Sequence, residues 1–203
     1  MGEPVHTDYL GINRKIAPED LSKFEAGGFT IEEKFDGWWC CFEVGPGHNR
    51  LHTRHSHLID CASLEERELT WHSGTKLIGE WMPDLEELWV HDIIHDGIYD
   101  LKATSHEPRR WQLEAFFERE VHEQIKLIPN YKSGFQSVYD SVIQEGGEGV
   151  VLKHNDSLYS SRLKSRKTGM WAKCKPQYAR EKKPSVGEYL TVGDTTARWV
   201  TSS

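Results

Sequence analysis

The sequence predicts a single α+β domain with antiparallel or mixed sheets flanked by helices. Strand-like segments outnumber helical ones, and tight turns such as Asp36-Gly37 and the segment 45–49 separate them. A chain of 203 residues can bury one sizeable core, and 37% hydrophobic with 28% charged residues is ordinary for a folded, soluble protein. The hydrophobic pattern thins after Lys175. We therefore expect one domain over residues 1–176 and a tail or docked extension over 177–203.

The individual elements follow from local patterns along the chain. Pro18 in a first turn and Gly27-Gly28 at the end indicate a short helix. Phe135 and the apolar residues three, four, seven and eight positions after it predict an amphipathic helix, and another helix is expected over 108–122. Strands are expected at 29–35, 38–44, 50–55, 76–82, 88–94, 149–154 and 170–175.

Composition and the N-terminus argue against membrane and secreted proteins. No segment approaches the roughly 20 apolar residues of a membrane helix, and the first residues lack the basic flank and apolar run of a secretion signal. The four cysteines form no CxxC pair, so no zinc or redox motif is indicated, and Cys40 and Cys41 are expected in the core. We therefore expect a cytoplasmic protein in a reducing compartment.

The charge distribution is uneven. A net charge of −7 argues against general polyanion binding, yet nine basic residues and only one acid, Glu181, lie between Arg162 and Lys183. Such a basic face can bind phosphates. A plain solvated charge run is an equally weighted interpretation.

Short motifs with reactive side chains occur in a fixed order, each at a predicted strand end or turn where it can face a shared cleft. Taken singly, each is compatible with a solvated residue or a salt-bridge partner, but the ordered set favours function. The motifs are Glu32 with Lys34-Phe35-Asp36-Gly37, Arg54, Gly79-Glu80, His91-Asp92, the stretch from Glu148 to Lys153, and Trp171-Ala172-Lys173-Cys174-Lys175.

Between Glu32 and Pro176, this order resembles the covalent nucleotidyltransferases, which include ATP-dependent DNA ligases, RNA ligases and mRNA capping enzymes. Within that superfamily the pattern looks most like DNA ligases of the small viral or bacterial type, with a nuclear location left open. The resemblance implies the adenylation-domain fold around an ATP cleft. It also implies a monomer that seals 5′-phosphate/3′-hydroxyl nicks in duplex DNA, with an RNA-containing strand as an open alternative.

The resemblance implies that Lys34 is the nucleophile that becomes a lysyl-adenylate. A lysine is protonated near neutrality and must lose its proton before it attacks, which partial burial and the nearby cations Lys173 and Lys175 favour. The same two lysines are expected to hold the α-phosphate. Asp36 and Gly37 are expected to shape the turn that presents Lys34, with glycine supplying backbone freedom.

The resemblance also implies the remaining nucleotide and metal contacts. Glu80 and Glu148 offer carboxylate oxygens for Mg²⁺ or Mn²⁺, and Glu80 also contacts the ribose. Arg54 is expected at the ribose or the acceptor phosphate, and Glu32 near the adenine. His91 stands where a base-stacking aromatic is usual. Glu148 and Lys153 complete the cofactor-binding set, together with Lys173 and Lys175.

Several positions depart from the family pattern. Trp39 stands where many DNA ligases carry an arginine, so the phosphate contact of that arginine is either absent or supplied elsewhere, with Arg162 and Arg166 as candidates. Ile78 replaces an acid that often precedes Gly79-Glu80. Only 28 residues follow Lys175, too few for the OB-fold domain that usually follows.

Four alternatives to a DNA ligase are considered. An RNA ligase fits the same motifs. A GTP-using capping enzyme fits the Trp171 to Lys175 motif less well. A non-catalytic nucleic-acid-binding module is disfavoured because Lys34, Glu80 and Glu148 are all present. An NAD⁺-dependent ligase is disfavoured because its nicotinamide-binding domain and cysteine zinc site are missing from the sequence.

Overall fold

A computed structural model describes residues 6–119, 122–160 and 169–180. The strands are β1 Arg14–Ile16, β2 Phe29–Glu33, β3 Trp38–Glu43, β4 Arg50–Thr53, β5 Thr75–Met82, β6 Glu87–Asp96, β7 Ile125–Leu127, β8 Asn130–Tyr131, β9 Val150–His154 and β10 Trp171–Cys174. The α-helices are α1 Leu21–Glu25, α2 Ala62–Glu65, α3 His106–Arg119 and α4 Phe135–Gln144, with 3₁₀ turns at Pro18–Asp20 and Pro176–Tyr178.

The strands form two five-stranded sheets. Sheet A has the order β1-β10-β9-β2-β8, and sheet B has the order β4-β3-β5-β6-β7. Each sheet contains one parallel pair, β1 with β10 in sheet A and β6 with β7 in sheet B, while the other neighbours are antiparallel. The predicted α+β class with mixed sheets is therefore confirmed.

Three groups of buried side chains hold the layers together. Leu21 of α1 and Phe135 of α4 pack on one face of sheet A, and Leu113 of α3 packs on sheet B. A third group, which includes Cys41, Ile78 and Trp171, joins residues of the two sheets. Because this group packs side chains from both sheets together, it fixes how the strand ends that carry the predicted motifs approach one another. Cys40 and Cys41 are buried and free, as predicted.

Helix α3, expected over 108–122, does not dock on sheet B through apolar contacts alone. Trp111 is 56% exposed, whereas Arg109 is fully buried. The guanidinium of Arg109 donates two hydrogen bonds of 2.9 Å to the carboxylate of Asp92 on β6. Burial alone would raise the pKa of Asp92, but the charge and hydrogen bonds of Arg109 hold it well below its usual range. An ion pair, as well as apolar contact, therefore docks this helix on sheet B.

Some predictions fall outside the described residues. These are the phosphate contacts of Arg162 and Arg166, and the part of the tail beyond residue 180; the domain boundary at 176 stays a prediction. Within the described part of the chain, no helix combines the length and apolar character needed to span a bilayer.

Candidate active site

A cleft of about 580 Å³ opens between the two sheets. It is lined by side chains from the β2–β3 connection, from strands of both sheets and from the N-terminal segment Tyr9 to Ile12. The predicted site residues that line it are Lys34, Arg54, Glu80, His91 and Lys173. Motifs far apart in the sequence therefore converge on one cavity.

The backbone at Lys34 is tied to a neighbouring strand. The Lys34 amide donates a 2.9 Å hydrogen bond to the carbonyl of Gly149, which ties the end of β2 to the start of β9. Gly37 does not adopt a left-handed φ, so the expected need for backbone freedom is wrong. The reason is space, because a Cβ there would lie 2.7 Å from the Trp81 carbonyl oxygen and 2.8 Å from the Met82 sulfur.

Glu148 joins two of the predicted lysines. One carboxylate oxygen accepts a hydrogen bond from Lys34 Nζ, and the other forms an ion pair with Lys175 Nζ. All three side chains are partly buried, with 14–22% of their surface exposed. Lys34 and Lys175 are therefore held close together by a shared anion.

The charge of Lys34 affects two other lysines, Lys173 and Lys175. Partial burial lowers the pKa of Lys173, and the charges of Lys34 and Lys15 lower it further. The pKa of Lys175 is also lowered, by burial and then by Lys34. The charge of Lys34 thus acts on both Lys173 and Lys175, as expected for ammonium groups that lie near one another. The cluster of cations that the sequence predicted around Lys34 is present.

Glu80 on β5 lies in the cleft in a poorly solvated position. Its pKa is raised to about 8 by burial, which outweighs the charge of Lys34, with a further contribution from Asp36. A bound divalent cation relieves such a penalty on a carboxylate. Glu80 therefore offers carboxylate oxygens to a hard cation, whereas the two oxygens of Glu148 already contact Lys34 and Lys175.

Glu32 and Lys153 form an ion pair beneath the cleft. Lys153 Nζ lies 2.5 Å from Glu32 Oε1, and the two side chains are 2% and 1% exposed. Lys153 also donates a 2.9 Å hydrogen bond to the His91 carbonyl and lies 4.5 Å from the centre of the Trp171 ring. Burial raises the pKa of Glu32 and lowers that of Lys153, and their contact offsets part of each effect. Lys153 is thus positioned to support the site from below.

His91 is neutral in this arrangement. Its pKa is held well below the usual value by burial and by the charge of Lys153. The Nδ1 atom lies 3.1 Å from Lys153 Nζ, and the ring meets Trp171 edge to face at 6.2 Å. A neutral imidazole at the cleft wall can contact a base through its face or edge.

Arg54 is exposed at the mouth of the cleft, beyond the end of β4. Its Nε atom donates a 3.0 Å hydrogen bond to His55, and its carbonyl accepts one of 2.7 Å from the amide of His6. The guanidinium keeps further donors that can reach a phosphate.

Comparison with known proteins shows which proteins the chain is similar to. No protein-family model matches the chain. A curated relative, the multifunctional non-homologous end joining protein LigD of Pseudomonas aeruginosa, is 26% identical over 193 residues. That match covers 82% of this chain but only 22% of the relative.

Solved structures match over most of the chain. A mycobacterial DNA ligase D in complex with ATP is 22% identical, with a TM-score of 0.65 over 84% of this chain and 62% of that one. The ligase domain of Mycobacterium tuberculosis LigD has a TM-score of 0.62 at the same identity, over 84% of this chain and 60% of that one. A LigE DNA ligase has a TM-score of 0.60 at 16% identity, over 84% of this chain and 69% of that one. The fold is that of a DNA ligase adenylation domain.

The structure explains the tryptophan at position 39, one of the departures from the ligase pattern. Trp39, which stands where many DNA ligases carry arginine, meets Tyr9 edge to face at 5.2 Å and the His6 ring at 5.5 Å. Tyr159 donates a 2.8 Å hydrogen bond to the Asp8 carbonyl from the other side. This tryptophan therefore holds the N-terminal segment against the cleft, a role that no local sequence pattern indicated.

Among residues 6–119, 122–160 and 169–180, one group of three side chains has the spacing of metal ligands. It consists of His6, Asp8 and buried Cys41. Asp8 already forms a 2.6 Å ion pair with Lys102, and its amide donates to His6 Nδ1. These contacts attach the N-terminal segment to the rest of the domain, and they explain why His6, Asp8 and Cys41 lie together.

Proposed function

We propose that this chain is an ATP-dependent polynucleotide ligase domain that seals nicks in duplex DNA through a lysyl-AMP intermediate. The observation that carries the proposal is the position of Lys34. Its amine lies at the cleft, bonded to Glu148 and surrounded by the cations Lys173 and Lys175. An amine nucleophile beside several phosphate-binding cations suits attack on a phosphorus atom better than it suits passive binding.

The proposed first step is the transfer of AMP to Lys34. The amine gives up a proton to Glu148 or to water and attacks the α-phosphorus of ATP. The new nitrogen–phosphorus bond replaces the bond to the bridging oxygen, and pyrophosphate leaves with the electron pair. Lys173 and Lys175 offset the negative charge on the α-phosphate as this occurs.

The later steps pass AMP to the nick. The 5′-phosphate attacks the lysyl-adenylate and regenerates the amine of Lys34, and the 3′-hydroxyl then displaces AMP to form the phosphodiester bond. Arg54, at the mouth of the cleft, is suited to hold the ribose or the incoming phosphate.

Glu80 and Glu148 would hold Mg²⁺ or Mn²⁺, which when bound supplies positive charge against the phosphate oxygens. Glu32 and His91 would lie toward the base. Lys153 would keep Glu32 and His91 in place rather than contact the phosphates, because its ammonium is buried between them.

The wider context is also a proposal. We also propose that the protein acts as a monomer, as its resemblance to the ligases implies. All four cysteines are buried and free, which supports a reducing compartment such as the cytoplasm.

The test is sealing of a labelled nicked duplex in the presence of ATP and Mg²⁺. Wild-type protein should seal the nick, and Lys34→Ala should not. The same variant should still seal a nick that already carries AMP on its 5′-phosphate, because that step no longer needs the amine. An RNA strand at the nick tests strand preference. The proposal would be contradicted if Lys34→Ala sealed the 5′-phosphate nick with ATP. It would also be contradicted if the wild-type protein sealed neither the 5′-phosphate nick nor the pre-adenylated nick.

A further inference from the structure

We propose that Lys15 on β1 binds the pyrophosphate end of ATP during adenylation of Lys34. This inference rests on the proposed function and adds a residue that no sequence motif marked. It identifies which part of the domain holds the leaving group of the first step.

The register of sheet A places Lys15 on the same face as Lys173. The two residues are partners in the parallel pairing of β1 with β10. Paired residues on neighbouring strands project to the same side of a sheet, and successive residues alternate. The next pair, Ile16 with Cys174, is buried in the core against α1 and α4. Lys15 and Lys173 therefore project to the opposite face, where Lys173 lines the cleft.

A continuous row of side chains crosses this face. Following the pairing from β1 through β10 and β9 to β2, the row runs Lys15, Lys173, Val151, Glu32. Neighbouring strands are about 4.8 Å apart. A nucleotide with its base toward Glu32 and its α-phosphate at Lys173 therefore extends its β- and γ-phosphates toward Lys15, one strand farther on.

The charges around Lys15 agree with this position. Its charge contributes, after burial and Lys34, to the lowered pKa of Lys173, and it also acts on Lys175. The single carboxylate of Glu148 is already shared by Lys34 and Lys175. Within the described residues Lys15 has no carboxylate partner, and its ammonium lies 5.0 Å from the centre of the Tyr178 ring. The row therefore carries surplus positive charge that a phosphate chain can neutralise.

Lys15 has a specific task in the reaction. When Lys34 attacks the α-phosphorus, the bond to the bridging oxygen breaks and negative charge develops on the departing pyrophosphate. A cation at that end stabilises the charge as it forms. Transfer of AMP to the nick and phosphodiester closure involve no pyrophosphate, so Lys15 acts on the first step alone.

The experiment compares Lys15→Met with wild type in the full chain. Methionine keeps much of the length of the side chain and removes the charge. Adenylation of Lys34 by ATP should slow by roughly tenfold or more, and inhibition by added pyrophosphate should weaken. Binding of ATP should weaken while binding of AMP is unchanged. Sealing of a pre-adenylated nick should be unchanged, and Lys15→Arg should restore most of the adenylation rate.

The matched control is Lys23→Met. Lys23 is an exposed lysine on α1, which packs on the opposite face of sheet A, and its ammonium pairs with Asp20. It should behave as wild type in every assay.

Two outcomes would overturn the role of Lys15. In the first, Lys15→Met binds ATP and is inhibited by pyrophosphate as strongly as the wild type. In the second, Lys15→Met loses affinity for ATP and for AMP to the same extent. If wild-type protein instead binds ATP but never becomes adenylated, the proposed function fails, and the comparison of ATP with AMP still decides whether Lys15 binds phosphate.

Discussion

Replacement of Lys153 by methionine tests whether this lysine supports the site from below. In the folded protein its ammonium lies 2.5 Å from Glu32 Oε1 and donates to the His91 carbonyl. Methionine fills a similar volume but leaves the Glu32 carboxylate buried without a cation. Since Glu32 is 2% exposed, water cannot replace the missing partner.

The magnitude follows from this burial. Removing one partner of a buried ion pair costs about 3–5 kcal/mol. In a domain of this size each kcal/mol lowers the melting temperature by roughly 2–4 °C. Lys153→Met should therefore melt roughly 6–20 °C below wild type. The double variant Glu32→Gln/Lys153→Met should recover at least half of the lost stability, because it leaves no unpaired charge.

The assay is urea and thermal unfolding of the wild type, the single variant and the double variant. The matched control is Lys132→Met, which removes an exposed ion pair of 3.0 Å with Glu107 and should change stability by at most about 1 kcal/mol. A Lys153→Met protein within about 1 kcal/mol of wild type would show that the buried pair of Lys153 with Glu32 does not stabilise the fold as predicted. So would a double variant no more stable than the single one.

Three further substitutions test the packing at Gly37 and the electrostatics of Asp92 and Glu80. Gly37→Ala should lose about 1–3 kcal/mol in urea unfolding, because the methyl group would press on the Trp81 carbonyl; wild-type stability would contradict the packing. Asp92→Asn should cost about 3–5 kcal/mol by breaking the buried pair with Arg109, and a thermal shift of only 1–2 °C would contradict it. Glu80 has a raised pKa, so its contribution to stability is complete below pH 4.5 and is lost as the pH rises toward about 8. Glu80→Gln should therefore gain stability relative to wild type across that range, and a constant difference in unfolding free energy would contradict the shift.

The principal elements could be predicted because their side chains carry the signal. The predicted strands at 76–82 and 88–94 correspond to β5 and β6, and the amphipathic pattern from Phe135 corresponds to α4. Strands β1, β7 and β8 were missed because they have only three, three and two residues. Strands that short are defined by their pairing partners, which a local pattern cannot reveal.

The candidate site, like the fold, could be predicted from the sequence only in part. The order of the motifs along the sequence was enough to predict that Lys34, Glu148 and Lys175 lie close together. The sequence could not distinguish a lysine that faces the cleft from one buried under it, because Lys153 and Lys173 lie on neighbouring strands of the same sheet. Lys15 carried no signal at all, since its position depends on the parallel pairing of β1 with β10.

The most direct test of the central claim is the intact mass of the protein after incubation with Mg²⁺ and ATP, GTP or no nucleotide. We expect a gain of one AMP with ATP alone, mapped by peptide analysis to Lys34 and absent from Lys34→Ala. An AMP adduct on another residue, or an equal adduct on Lys34→Ala, would contradict the assignment of Lys34 as the nucleophile.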